Sequence, residues 1–173
     1  MISGKRVRLR AVESSDLVDY HRWLNDPEVI KHLKLYAPLS MSDEEAWHAA
    51  VRADPEQNVF AIEAETGQHI GNVALMHINW KDRSAELGIV IGDKSQWGKG
   101  YGQDAIRTLL SFAFGEMNLH RVYLRVHADH ALAINAYRKC GFVEEGRLRE
   151  DIYAGGHYHD MLMMSILKGE FKS

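Results

Sequence analysis

The most chemically pointed stretch of this chain is Gln96-Trp97-Gly98-Lys99-Gly100-Tyr101-Gly102, three glycines and a lysine within seven residues. Glycines let the backbone turn tightly and bring several N–H groups close to one ligand. The stretch follows the apolar run Ala85-Glu86-Leu87-Gly88-Ile89-Val90-Ile91 and precedes an amphipathic one, so it joins a strand to a helix. A helix N-terminus carries roughly half a positive charge, which suits a phosphate or pyrophosphate, and Lys99 adds a further cation. Neither G-x-x-x-x-G-K-[ST] nor G-x-G-x-x-G is satisfied. On the loop alone, an ordinary Gly-rich connection is the alternative.

Glu86 interrupts its apolar strand just before that loop, and burial there would raise a carboxylate towards the range of a general base. The alternative is a strand-end glutamate paired with Arg83. About thirty residues after the loop comes Ala133-Ile134-Asn135-Ala136-Tyr137-Arg138-Lys139-Cys140-Gly141-Phe142. By periodicity alone, Tyr137 is a core tyrosine on an amphipathic helix. Ten histidines raise the question of a metal. His157 and His159 flank Tyr158, and His127 lies near His130, but H-E-x-x-H and cysteine clusters are absent, so no metal site is expected. Cys140 is the only cysteine, which rules out an internal disulfide, and it lacks an evident base partner for a nucleophilic role.

The elements that must position these residues follow from pattern. Val7-Arg8-Leu9-Arg10 alternates as a strand does, and Ser14 or Ser15 caps a helix through Leu17, Tyr20, Trp23 and Leu24 that stops at Asn25-Asp26-Pro27. Ser42-Asp43-Glu44-Glu45 resembles a capping box for a second helix running towards Arg52. Val59–Ile62, Ile70–Met76 and Ala85–Ile91 read as strands, the last apolar enough to be central. After the glycine loop, Ala105, Ile106, Leu109, Leu110 and Ala113 mark a helix, Val122–Val126 a strand and Ala131–Lys139 another helix with Gly141 past its end. A terminal hairpin turns at Ala154-Gly155-Gly156 and closes with Met161–Leu167.

With 173 residues, 46% hydrophobic and 26% charged, the chain reads as one globular domain over 1–173 with a full core. A net charge of −3 leaves no footprint for nucleic acid. No run approaches the ~18 apolar residues of a membrane helix, and Met1-Ile2-Ser3-Gly4-Lys5-Arg6 has no signal-peptide core, so a cytoplasmic protein without membrane contact is expected.

The buried strand, the W-G-K-G-Y-G loop and the A-I-x-x-Y-x-K-x-G-F segment together resemble the GNAT superfamily of acetyl-CoA-dependent N-acetyltransferases. The branch of ribosomal-protein N-terminal and spermidine acetyltransferases is the most similar. Two positions depart from the family pattern: Trp97 stands where Arg or Gln opens the loop, and His130 stands where Asn is usual. The resemblance implies an α/β fold: a mixed, mostly antiparallel sheet of about six to seven strands, about four helices, and a splayed parallel strand pair holding the cofactor. Gln96, Trp97, Gly98, Lys99, Gly100, Tyr101 and Gly102 then bind pyrophosphate. Backbone amides of Ile89, Val90 and Ile91 pair with pantetheine and polarise the acetyl carbonyl, and Asn135 and Lys139 are further cofactor contacts. Tyr137 falls where relatives place a tyrosine beside the CoA sulfur, and Glu86 where they often carry an acid, although a water chain can replace it as base.

Direct acetyl transfer to a primary amine in a ternary complex is the activity expected. The segments implied to hold the acceptor are Val29–Ser42 and Asp151–Asp160. Lys31, His32 and Lys34 in the first disfavour a polycation, so a peptide or protein N-terminal amine is the expected acceptor, ahead of a polyamine, an aminoglycoside or an amino sugar. A non-catalytic acyl-CoA sensor and a nucleotide-binding protein are the other classes. Family members are often dimers, so a homodimer is one expectation.

Overall fold

The computed structural model describes residues 1–172. In chain order the elements are β1 (Ile2–Ser3), β2 (Val7–Ala11), α1 (Leu17–Leu24), α2 (Pro27–Ile30), α3 (Met41–Ala53), β3 (Asn58–Ala64), β4 (His69–Asn79), β5 (Ser84–Ile91), α4 (Tyr101–Gly115), β6 (Arg121–His127), α5 (Ala131–Lys139), β7 (Val143–Ala154) and β8 (His157–Leu167). The strands form a single sheet in the order β1-β2-β3-β4-β5-β6-β8-β7. It is the expected mixed, mostly antiparallel sheet. The additions are the two-residue β1 and the one-turn α2, both too short to leave a periodic signature.

The parallel pair is β5 with β6, and its ladder has three rungs, Ser84–Arg121, Ala85–Val122 and Glu86–Tyr123. Beyond Glu86, β5 continues to Ile91 while pairing only with β4, through Ile89–Val73, Val90–Asn72 and Ile91–Gly71. On the β6 side its backbone is therefore open, and the two strands separate there. This splay cannot be read from hydropathy, since β5 is apolar on both sides of the break.

The amphipathic stripe of α4 covers the sheet with Ala105, Ile106, Leu109, Leu110 and Ala113, packed in one core with Val73, Leu75, Leu87, Leu124 and Ile166. Leu17, Tyr20 and Trp23 of α1 form a second cluster with Met41 and Trp47 of α3. Trp23 also lies so close to Gly92 that a Cβ there would meet its ring at 2.1 Å, which demands glycine where β5 leaves the sheet. Two caps differ from expectation. Ser14 and Ser15 form a 3-10 turn with Asp16 rather than capping α1. For α3 the cap is Ser40, not Ser42: Asp43 N–H donates to Ser40 Oγ at 3.2 Å, and the Asp43 carboxylate accepts from Ser40 N–H at 2.7 Å. Both serines precede a three-residue acidic spacing, but Ser42 already lies in the first helical turn, and Ser40 has the extended backbone of an N-cap.

Candidate active site

β5 ends in a 3-10 turn, Lys94–Gln96, whose cap Asp93 accepts from Ser95 N–H at 2.9 Å. The Trp97 indole then donates to the Ile91 carbonyl at 2.7 Å, tying the loop to the strand end. Gly98 and Gly100 take φ of +73° and +86°, the left-handed region that costs other residues about 1–2 kcal/mol. Gly100 is the N-cap of α4 and offers no side-chain cap. The first amide of α4 to find a helical acceptor is that of Asp104, which donates to Gly100 O at 3.1 Å, so those before it remain for an anion. Asp104 itself turns away from the N-terminus and accepts from Arg6 N–H at 2.7 Å and Val7 N–H at 3.0 Å.

The loop's side chains divide into two groups. Lys99 is exposed and reaches Gln96 Oε1 at 3.3 Å. Tyr101 is buried: the Arg6 guanidinium sits 4.4 Å over its ring, and its hydroxyl donates to Glu65 Oε1 at 3.2 Å. Only its backbone is left for a ligand, and Trp97's indole is likewise committed. Arg6 also donates to the Lys99 carbonyl. Pinning of the glycine loop by Arg6 and Asp104 escaped the sequence reading, because the two lie almost a hundred residues apart and neither belongs to a motif.

Glu86 is 7% exposed, on the last rung of the parallel ladder. Its partner is not Arg83 but Arg125, whose Nε donates to Oε1 at 3.1 Å, while His77 Nε2 stands 3.7 Å from Oε2. The Arg125 guanidinium is raised, chiefly by that hydrogen bond, against burial; the charges of Glu86 and Asp151 add to it. Tyr137 packs edge-on against Phe142. Burial, with Cys140 nearby, pushes its phenol up to about 12, so the hydroxyl is protonated at neutral pH. Asn135 and Lys139 are exposed on α5, and neither side chain makes a hydrogen bond among the described residues.

The two segments expected to frame an acceptor do converge. His32, from the first, places Nε2 4.0 Å from Asp129 Oδ1, and His159, from the hairpin, places Nδ1 3.9 Å from Asp129 Oδ2. His130 stacks on His32 at 3.9 Å between centroids. Burial, then the charges of His32 and His127, hold His130 down at about 4, so it is neutral at pH 7. No described helix is long and apolar enough to cross a membrane.

A glycine loop at an uncapped helix N-terminus stands beside a parallel pair that opens after three rungs, which leaves helix-start amides and an open strand edge side by side. The family model for an acetyltransferase (GNAT) domain matches residues 6–143. The spermidine N(1)-acetyltransferase of Vibrio cholerae is 34% identical over 97% of this chain and 96% of its own length. That of Escherichia coli is 30% identical over 99% and 91%. The crystal structure of spermidine N-acetyltransferase from Vibrio cholerae in complex with CoA and spermine superposes with a TM-score of 0.90, at 33% identity, covering 95% of this chain and 96% of that one. The chain belongs to the GNAT family and is an acetyl-CoA-dependent N-acetyltransferase.

Proposed function

We propose that this enzyme acetylates a primary amine of a polyamine of the spermidine type, with Tyr137 and Glu86 as its acid and base. The observation that carries the acceptor is the end-to-end likeness to spermidine acetyltransferases, one of them solved with CoA and spermine. A peptide or protein α-amine, the acceptor expected from sequence, has no such support. Lys31 and Lys34, which argued against a polycation, are exposed, where charge is screened within about 8 Å at physiological salt. Asp151 of the hairpin has no ion-pair partner within 4.0 Å among the described residues and remains available to an ammonium group.

Proton accounting sets the order of events. A lysine-like primary amine has a pKa near 10.4 and must shed a proton before or during attack. Arg125 occupies Glu86 Oε1, so Oε2 is the oxygen left to take that proton, directly or through water. Attack on the thioester carbonyl forms a tetrahedral oxyanion. A backbone N–H of the open β5 edge, within Ile89–Ile91, stabilises it, an effect typically worth about 3–4 kcal/mol. The CoA thiolate then leaves beside the Tyr137 hydroxyl, while amides at Gly98–Gly102, with Lys99, hold the pyrophosphate and Asn135 and Lys139 lie along the cofactor's flank.

Thiol release from acetyl-CoA tests the acceptor, with spermidine, spermine, an aminoglycoside and short peptides beginning with Ala or Ser. Turnover of spermidine or spermine with silent peptides is expected. Turnover of a peptide with silent polyamines would overturn the reading.

A further inference from the structure

His127 closes β6 at 3% exposure, and neither of its ring nitrogens has a hydrogen-bond partner among the described residues. Buried polar groups are nearly always paired, so this imidazole calls for an explanation. Its Nδ1 lies 4.0 Å from Asp129 Oδ1. His159 Nδ1 lies 3.9 Å from the other oxygen of the same carboxylate, and His32 Nε2 lies 4.0 Å from Oδ1. These separations are too long for hydrogen bonds, so three imidazoles surround one carboxylate without bonding to it.

The orientation of His159 sharpens the point. Its Nε2 is 3.1 Å from the Ala154 carbonyl, which can only accept, so Nε2 carries the proton. In the neutral ring, Nδ1 then turns a lone pair towards the Asp129 carboxylate. A cation placed in that gap would serve both atoms, and would serve the unpartnered His127 ring beside them as well. A ring N–H donated to a backbone carbonyl is also how metal-ligating histidines are commonly held. Ligand atoms of His127, Asp129 and His159 all fall within 4.8 Å of one another.

We propose that His127, Asp129 and His159 form a binding site for a divalent transition metal, zinc by the chemistry of its donors, with the fourth position filled by water or by His32, 4.0 Å from the same carboxylate. Two or three imidazoles and one carboxylate match zinc's preference for nitrogen with some oxygen, and four-coordination is its structural habit. Tetrahedral ligands about 2.0–2.1 Å from zinc stand about 3.3 Å apart, so the carboxylate-to-ring separations of 3.9–4.0 Å close by about 0.6–0.7 Å and the ring-to-ring separation, within 4.8 Å, by up to about 1.5 Å. Asp129, with its side chain 62% exposed, is free to make that adjustment. The metal has no part in acetyl transfer. It ties the β6–α5 junction to the terminal hairpin, and through His32 to the Val29–Ser42 segment, and so fixes the walls of the acceptor site. The inference stands whether the acceptor is a polyamine or another amine.

Untagged protein, stripped with a chelator and dialysed, is titrated with zinc by calorimetry and with cobalt by visible absorption. One ion per chain is expected, with the d–d bands of low-coordinate cobalt. At a zinc concentration a hundredfold above Kd, the melting temperature is expected to rise by roughly 5–10 °C. His127→Ala and Asp129→Asn each weaken zinc binding by at least about a hundredfold, since even outer-shell substitutions cost 10–100-fold, whereas His120→Ala leaves it unchanged. Absence of stoichiometric binding, or equal affinity in the wild type and Asp129→Asn, overturns the proposal. If His127→Ala does not fold, the exposed Asp129→Asn variant decides alone.

Discussion

Replacing Tyr137 by phenylalanine removes one oxygen and leaves the ring packed on Phe142, at 5.8 Å between centroids. The size of its effect follows from the hydroxyl's acidity. Burial pushes the phenol up to about 12, whereas a departing thiolate resembles cysteine, with a pKa near 8.5. Complete proton transfer to sulfur is therefore uphill by about 3.5 units, or about 4.8 kcal/mol. Tyr137 then acts chiefly by donating a hydrogen bond to the charge growing on sulfur. Hydrogen bonds to charged groups are worth about 1.5–3 kcal/mol, which is a factor of about 10–150 in rate. In the thiol-release assay with spermidine, kcat should fall by that factor, while the Kd for CoA by calorimetry changes less than about twofold. A kcat within about threefold of wild type refutes the assignment, and an equal loss of rate and CoA affinity makes Tyr137 a packing residue instead. The pH profile is a second check. Because the phenol stays protonated below about pH 11, any alkaline limb under about pH 10 belongs to another group and must survive in Tyr137→Phe.

Three further outcomes are expected. Gly100→Ala forces a Cβ onto a φ of +86° at the α4 cap, at about 1–2 kcal/mol. Its melting temperature should drop by roughly 2–8 °C with a loss of CoA affinity, and unchanged values would show that the left-handed cap is not required. Glu86→Gln keeps a hydrogen-bond acceptor for Arg125 but cannot take a proton. If Glu86 is the base, kcat near pH 7 should fall by about 10²–10⁴, partly recovering at high pH as free amine accumulates, whereas a loss under about tenfold assigns the base to water. Arg10 donates to both oxygens of buried Asp16, at 2.7 and 2.9 Å, and Arg10→Met strands that carboxylate at a cost of about 3–5 kcal/mol, read as a lower urea midpoint. Burial pushes Asp16 up, but the Arg10 hydrogen bond, the Glu13 N–H and nearby positive charge outweigh it, leaving its pKa below the usual 3.8. That stabilisation is present above the unfolded value and lost as pH falls through the lower folded one, so the variant should lose the corresponding part of the wild type's acid sensitivity below about pH 4.

What the sequence disclosed was what local pattern encodes. The elements from Val59 to Lys139 carry strong period-2 or period-3.6 signals, and α5 begins and ends where expected, at Ala131 and Lys139. The glycine loop was legible because its conformation needs glycine at particular positions. Ser40 was missed as a cap because Ser42, two residues on, offers the same side chain followed by acids, and only the backbone direction separates them. The acceptor expectation rested on a string whose members part company in the fold. Lys31, His32 and Lys34 look cationic as a string, but His32 lies folded beside His130 and Asp129 while the lysines are solvated. His127 and His159 were noticed in the sequence but set aside, because the members of their cluster come from a coil, a strand end and a hairpin that no spacing rule spans.

The position of Glu86 joins the two halves of the proposed chemistry. It is the last residue of β5 to pair with β6, so the backbone becomes available to a ligand immediately after the residue that carries the carboxylate. A base for the incoming amine and a donor for the developing oxyanion must both reach the reacting carbon, and the proposed chemistry draws them from one rigid strand, the carboxylate at Glu86 and the amides three to five residues further on. Arg125 lies two residues past Tyr123, the partner of Glu86 on that last rung, and its guanidinium reaches back to hold the carboxylate where the strands part. A fourth parallel rung at Leu87 would close part of the open edge beside the carboxylate, and a ladder one rung shorter would open the strands before it. In the proposed chemistry the length of this short ladder therefore matters, and it is set by backbone pairing rather than by any side chain a motif could record.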